Sequence, residues 1–138
     1  MRHPAKDDLF IPWGIHEQLS KNKLELLDDD SDIGGGLTAL KLRGHTPGSM
    51  GVRFEHATNG TVVVAGDAIK NLNEVINGRQ SNVEHEFPVA TSMADDEASI
   101  AKVVRMADRI IPGHFPELER EGAVLTPVGP QSLEIQFN

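Results

Sequence analysis

The sequence predicts an α/β (α+β) domain in which a mixed β-sheet is covered on one face by helices. Three observations predict this class: short alternating or apolar segments between residues 37 and 65, a hairpin signal at Asn59-Gly60, and an amphipathic helix after Ser92. A chain of 138 residues fits one domain, so we expect a single domain over 1–138 whose first 22 residues are irregular.

The segments that precede the hairpin signal are predicted to be strands. Leucines at 24, 26 and 27 suggest a first strand, which ends at the acidic cluster 28–32, interpreted as a solvated turn. Residues 37–43 and 49–55 alternate between apolar and polar side chains and predict two more strands. The continuous apolar run 61–65 is typical of a buried central strand.

The second half of the chain alternates between helix and strand signals. Residues 69–91 lack periodicity, so we expect a loop with a short helical piece. The segment 94–108 predicts a helix, because Ser92 can cap it and acidic residues fill its first turn. Its apolar stripe is expected to pack on the sheet and consists of Ile100, Val103, Val104 and Ala107. Short strands are predicted over 109–111, 123–126 and 133–137.

Composition excludes several classes of function. The chain has no cysteine, which excludes disulfides, thiolate metal sites and a cysteine nucleophile. Its net charge of −8 disfavours nucleic acid as a partner. No apolar run approaches the ~18 residues that span a bilayer, and residues 1–8 carry no signal-peptide core, so we expect a cytoplasmic protein without membrane association.

Three places share one design, in which a β segment ends, a glycine opens a turn, and a side chain able to bind metal follows. They are Gly44-His45, Gly66-Asp67 and Gly113-His114. Glycine allows the sharp turn that lets the next side chain project over the sheet edge. Ligands tend to gather where strand ends converge, and two imidazoles with one carboxylate suit Zn²⁺ or another first-row ion. We therefore predict that His45, Asp67 and His114 form a metal site.

These motifs resemble those of metallo-β-lactamase-fold hydrolases. The segment 44–49, Gly-His-Thr-Pro-Gly-Ser, is similar to the third metal-binding motif of that superfamily. The segment 65–68, Ala-Gly-Asp-Ala, resembles the fourth motif, and 112–114, Pro-Gly-His, resembles the fifth. The resemblance covers roughly 24–117 and is closer to the lactonase-like and general hydrolase branches than to glyoxalase II.

The resemblance implies a fold, a cofactor and roles for the three residues. The chain would be the C-terminal half of an αββα sandwich, binding Zn or, alternatively, Fe or Mn. His45 and His114 would each complete one metal site. Asp67 would have the catalytic role, holding both ions and orienting the attacking hydroxide. The expected activity is hydrolysis of an ester, lactone or amide in a small-molecule substrate.

The family's first signature, His-x-His-x-Asp-His, does not occur in these 138 residues. The resemblance therefore implies that four ligands are missing from this polypeptide, and whether the chain alone is an enzyme that holds its metal stays open. Half a sandwich would leave one apolar sheet face uncovered, so we expect a homo-oligomer, a dimer formed through that face. The alternative is a truncated, non-catalytic module for binding or self-association. A cupin-like barrel ranks last, because its paired His-x-His is missing.

The other histidines and hydroxyls are weaker candidates. His3 and His16 have no partner at ligand spacing, and His56 is expected to be exposed beside the hairpin turn. His85 is expected to have no role at the site. Thr46 and Ser49 are predicted to shape the turn around His45, because no nucleophile elbow accompanies them.

Overall fold

The protein is described by a computed structural model over residues 26–80 and 92–129. Seven strands and two helices lie within these ranges. The strands are β1 Ser31–Gly34, β2 Leu37–Lys41, β3 Met50–His56, β4 Gly60–Gly66, β5 Arg109–Pro112, β6 Leu118–Glu121 and β7 Val124–Pro127. The helices are α1 Leu72–Asn77 and α2 Met93–Met106. Neither is long and apolar enough to cross a membrane.

The seven strands form one mixed sheet in the order of the chain. Every neighbouring pair is antiparallel except β4 and β5, which are parallel. The parallel pair is joined by a crossover that contains both helices, as a parallel connection requires. This mixed sheet with helices confirms the predicted α/β (α+β) class.

The core lies between one face of the sheet and α2. Val63 in β4 and Ile110 in β5 are fully buried, and they meet Ile100 and Val103 of the helix in one cluster. Val104 of the predicted stripe packs against this cluster while staying partly exposed, and Leu72 of α1 packs against it as well. Burial of such side chains is the main favourable term in folding, at about 25 cal/mol per Å² of apolar surface.

The helix begins where the sequence predicts it. Ser92 accepts a hydrogen bond from the Asp95 N–H, so it caps α2 as expected. The helix ends at Met106, two residues before the predicted end, because Ala107 adopts an extended conformation and its N–H closes on the Val103 carbonyl. The short helical piece predicted within the loop 69–91 is α1.

The prediction for the first strand is wrong. Leu26 and Leu27 lie outside any strand, and Leu26 is 89% exposed. β1 instead begins inside the acidic cluster, because glycines with positive φ at 34–36 turn it back on β2 as a hairpin. The Asp32 carboxylate accepts the Gly34 N–H and stabilises that turn.

The remaining predicted elements divide into three groups. The strands β2 to β5 and β7 match predicted segments within a few residues, and β4 is central in the sheet. β6 was not predicted, since its Leu-Glu-Arg-Glu sequence has a single apolar residue. The irregular segment 1–22 and the strand predicted over 133–137 lie outside the described residues.

The sheet face opposite α2 carries a second apolar surface, here called the second face. Across β2 to β5 the strand register places eight apolar side chains on it: Leu37, Ala39, Met50, Val52, Phe54, Val62, Val64 and Ile111. Leu37 is 38% exposed and Ile111 is 37% exposed. Within 26–80 and 92–129, both helices pack on the other face.

Candidate metal centre

The three predicted site residues follow three strands that run in the same direction. β2 and β4 are both antiparallel to β3, and β5 is parallel to β4, so their carboxyl ends lie at one edge of the sheet. His45 comes four residues after β2 ends, Asp67 directly after β4, and His114 two residues after β5. Topology therefore brings the three side chains to a common edge, as the sequence predicts.

The Asp67 carboxylate lies between the two imidazoles. His45 Nε2 is 3.7 Å from Asp67 Oδ2, and His114 Nε2 is 3.0 Å from Asp67 Oδ1. The His45 side chain is 25% exposed, whereas the Asp67 and His114 side chains are 49% and 67% exposed. Each oxygen of one carboxylate thus faces one ring nitrogen at an open edge of the sheet.

These spacings can be compared with those of a metal site. Ligand bonds of about 2.0–2.1 Å in tetrahedral geometry hold two ligand atoms roughly 3.3 Å apart. The observed 3.0 and 3.7 Å lie on either side of that value, so each His–Asp pair fits an ion at its own carboxylate oxygen. Within 26–80 and 92–129, no group of three or more His, Cys, Asp or Glu side chains could hold a metal ion. The described residues therefore offer two donors for each ion, and catalytic zinc usually has three from protein.

Close packing of the surrounding backbone holds the site loops. Gly44 has a φ of +136°, and a Cβ there would overlap the backbone of Asp96 in the first turn of α2. The Gly44 carbonyl also accepts the Ser92 N–H, which anchors the helix start beside His45. The Gly113 N–H and His114 N–H donate to the carbonyls of Ile69 and Lys70, so the loop after β5 is tied to the loop after β4.

Sequence reasoning missed Gln80, which connects two of the site residues. Its side chain amide donates to the Asp67 carbonyl oxygen at 2.6 Å, and its Oε1 lies 3.2 Å from His45 Nδ1. Gln80 is 1% exposed, and its main-chain N–H donates to the Asp96 carboxylate at 2.7 Å. The segment around it has no periodicity or motif, so nothing in the sequence marked it.

Asp96 is a buried carboxylate behind the site. Burial raises its pKa above the ordinary value for aspartate, although the hydrogen bond from the Gln80 N–H acts in the opposite direction. The nearby Glu74 carboxylate, itself fully buried, also raises the pKa of Asp96. Asp96 thus fixes the Gln80 main chain from within the protein.

The weaker candidates behave as the sequence predicts where they are described. Thr46 and Ser49 bond to each other through their hydroxyls at 2.8 Å, and the Ser49 hydroxyl accepts the Thr46 N–H, so both shape the turn. His56 is exposed, and its Nδ1 pairs with Thr58. His3, His16 and His85 lie outside the described residues.

A protein that resembles part of this chain in sequence carries a metallo-beta-lactamase domain. Over 83 residues the chain is 32% identical to metallo-beta-lactamase domain-containing protein 1 from Xenopus laevis. The aligned stretch covers 60% of this chain and 32% of that protein, so the chain spans about a third of the relative's length. No family profile matches the chain.

Two examples of solved structures share a similar backbone with part of this chain. One is an N-acyl homoserine lactone hydrolase with the product N-hexanoyl-L-homoserine at its catalytic metal centre, with a TM-score of 0.48, 18% identity, and coverage of 65% of this chain and 35% of that one. The other is an AiiA variant from Bacillus thuringiensis with N-decanoyl-L-homoserine at its active site, with the same score, identity and coverage.

Proposed function

We propose that the chain carries the C-terminal part of a metal-dependent hydrolase site of the metallo-β-lactamase-fold type, and its similarity to a metallo-beta-lactamase domain protein supports this. His45 and His114 would each hold one ion, and Asp67, which lies between them, would contribute to both as the catalytic carboxylate. The observation that carries this proposal is the Asp67 carboxylate, whose two oxygens face two different imidazole nitrogens at 3.7 and 3.0 Å. A bridging ligand needs this two-sided arrangement.

The chemistry that such ions supply when bound is activation of water near neutral pH and polarisation of a carbonyl. Three residues of this chain would define the two ion positions. The Asp67 carboxylate sets the distance between the positions, and His45 and His114 tie them to the loops after β2 and β5. An ester, lactone or amide of a small molecule is the proposed substrate class. Zn is the proposed metal, with Fe or Mn as alternatives for the same donors.

Metal analysis of the purified chain tests the proposal. We expect stoichiometric zinc, iron or manganese in the wild-type protein and a lower metal content in His45→Ala, because the ion at that position would keep only the Asp67 carboxylate as a donor. His56→Ala is the matched control, since that imidazole is exposed and pairs only locally with Thr58. A metal content unchanged by His45→Ala, or wild-type protein without metal, would contradict the assignment.

Activity distinguishes the hydrolase from the second candidate, a non-catalytic module for binding or self-association. The resemblance implies that further donors for each ion would come from a His-x-His-x-Asp-His segment, which these 138 residues do not contain. Hydrolysis of lactones and esters by the metal-loaded chain alone would support a complete site. Metal binding without hydrolysis favours the binding module, which the exposed apolar side chains of the second face also support.

For self-association we propose a homodimer in which two second faces pack on each other. Leu37, Met50 and Ile111 are exposed on this face, and exposed apolar side chains of this kind are typical of an interaction site. The same patch on two copies forms a two-fold interface without any further complementary surface. We also propose that residues 1–138 form a single domain and that the protein is cytoplasmic.

A further inference from the structure

Gln80 is buried and makes hydrogen bonds in three directions, which restricts how its amide can be oriented. Its Nε2 lies 2.6 Å from the Asp67 carbonyl oxygen and 3.5 Å from that of Ala68. Carbonyl oxygens only accept hydrogen bonds, so the group that faces them has to be the NH₂. The reverse orientation would place two acceptors against each other in a site that is 1% exposed, which costs free energy.

The orientation of this amide determines the tautomer of His45. With the NH₂ directed at the carbonyls, the Gln80 Oε1 faces His45 Nδ1 at 3.2 Å. An amide oxygen cannot donate, so the hydrogen of this bond belongs to Nδ1. In the neutral imidazole the other nitrogen, Nε2, then carries a lone pair instead of a hydrogen.

That lone pair is directed toward Asp67. Nε2 and the Asp67 Oδ2 are 3.7 Å apart, too far for a hydrogen bond, and both are acceptors when the imidazole is neutral and the carboxylate ionised. Two acceptors at this separation repel each other unless a cation lies between them. The carbonyl of the same Asp67 is bonded to the Gln80 NH₂, so one amide fixes both the ring and the residue opposite it.

We propose that Gln80 is a positioning residue that holds His45 in the Nδ1–H tautomer and so keeps Nε2 available to a cation shared with Asp67. The main-chain bond from Gln80 to the buried Asp96 anchors this arrangement to the first turn of α2. Partners of this kind behind a metal-binding histidine fix its tautomer and ring orientation. The binding of a cation here rests on the function proposed above, whereas the assignment of the His45 tautomer does not.

The tautomer can be measured in the metal-free, full-length protein by ¹H–¹⁵N correlation of the histidine rings. In alkaline buffer, the spectrum should place the hydrogen of the His45 ring on Nδ1. The His45→Ala spectrum assigns the signal among the six histidines. A hydrogen on Nε2 in the wild-type protein would overturn the inference, and this measurement needs no Gln80 variant to fold.

Two variants separate positioning from a merely structural role. Gln80→Leu removes the acceptor, so His45 should lose its preference for Nδ1–H. Zn²⁺ titration should show roughly 10–100-fold weaker binding for Gln80→Leu. Val103→Ala opens the core without touching the site and should leave Zn²⁺ affinity unchanged.

The tautomer and Zn²⁺ measurements distinguish a failure of the Gln80 proposal from a failure of the proposed metal site. A wild-type protein with the Nδ1–H tautomer but no Zn²⁺ binding would refute the metal site and leave the role of Gln80 intact. Zn²⁺ binding with an Nε2–H tautomer in the metal-free protein, or equal affinities for wild type and Gln80→Leu, would refute the role of Gln80.

Discussion

At the scale of single residues, the space for the Asp67 carboxylate depends on the absence of a side chain at Gly113. A Cβ built at Gly113 would lie 2.5 Å from Asp67 Oδ1 and 3.0 Å from the Gly66 carbonyl carbon and oxygen. We predict that Gly113→Ala displaces the Asp67 carboxylate, because a side chain moves more readily than the backbone behind it. Zn²⁺ affinity should fall about 10–100-fold, an effect comparable to the loss of an orienting partner, while unfolding in urea shows a loss of about 1–3 kcal/mol from overpacking.

Gly48→Ala is the matched control for this substitution. Gly48 lies in the loop that carries His45, but nothing is within 4 Å of its Cβ position and its φ is not positive. Its stability should change by no more than about 0.5 kcal/mol, with Zn²⁺ affinity unaltered. Equal Zn²⁺ affinities for the two variants would contradict the crowding argument.

The three metal-binding candidates could be predicted because each has a local signature, a glycine and a metal-capable side chain after an apolar strand. The residue that connects them could not. Gln80 acts through its side chain amide and its main-chain N–H, and both depend on where the tertiary structure puts His45, Asp67 and Asp96. A glutamine in an aperiodic segment has no local feature that distinguishes this role from an exposed one.

At the scale of elements, the C-terminal end of α2 is held by a residue from the strand that the sequence did not predict. Arg120 in β6 donates through Nε to the Ala107 carbonyl at 3.0 Å and through Nη2 to the Val104 carbonyl. Carbonyls at a helix end have no partner within the helix, and a guanidinium also interacts favourably with the negative end of the helix dipole. We predict that Arg120→Ala lowers the free energy of unfolding by about 1.5–3 kcal/mol, the range for hydrogen bonds to charged groups, measured by urea denaturation.

Arg105→Ala provides the comparison. Arg105 is an exposed basic residue in the last turn of the same helix, so it shares the favourable dipole interaction. Its removal should cost less than about 1 kcal/mol. If Arg120→Ala and Arg105→Ala lower the free energy of unfolding equally, the hydrogen bonds from Arg120 to α2 add nothing to stability beyond the charge of the side chain.

Elements with a strong pattern were predictable, and those held by tertiary contacts were not. The apolar stripe and the cap of α2 and the valine run of β4 carry their own signal in the sequence. β1 has mostly exposed residues, and its pairing depends on the turn at 34–36 and on Asp30. The Asp30 carboxylate accepts the Lys41 N–H at 2.9 Å and pairs with Lys102 at 2.5 Å. A strand stabilised by a turn and by such tertiary contacts does not show the alternation of apolar and polar residues by which strands are predicted.

At the scale of the whole molecule, one sheet separates two apolar surfaces that differ in how they are covered. The face toward α2 is filled by side chains of the core, and the second face has exposed apolar side chains at both ends of the strand order β2 to β5. The edge that carries the three candidate ligands is shared by both faces, since it consists of the carboxyl ends of the same strands. Covering the second face would therefore also place new residues close to His45, Asp67 and His114.

The proposed homodimer predicts that a charge on the second face prevents association. Wild-type protein should have a mass of about 30 kDa by size-exclusion chromatography with light scattering, twice the 15.0 kDa of one chain. In Ile111→Glu the carboxylate would be buried against the second copy without a partner, so association should weaken by roughly 100-fold or more. Ile76→Glu is the control, because Ile76 is 70% exposed on α1, away from the second face. A wild-type mass near 15 kDa at all concentrations, or monomers from both variants alike, would exclude the second face as the contact between copies.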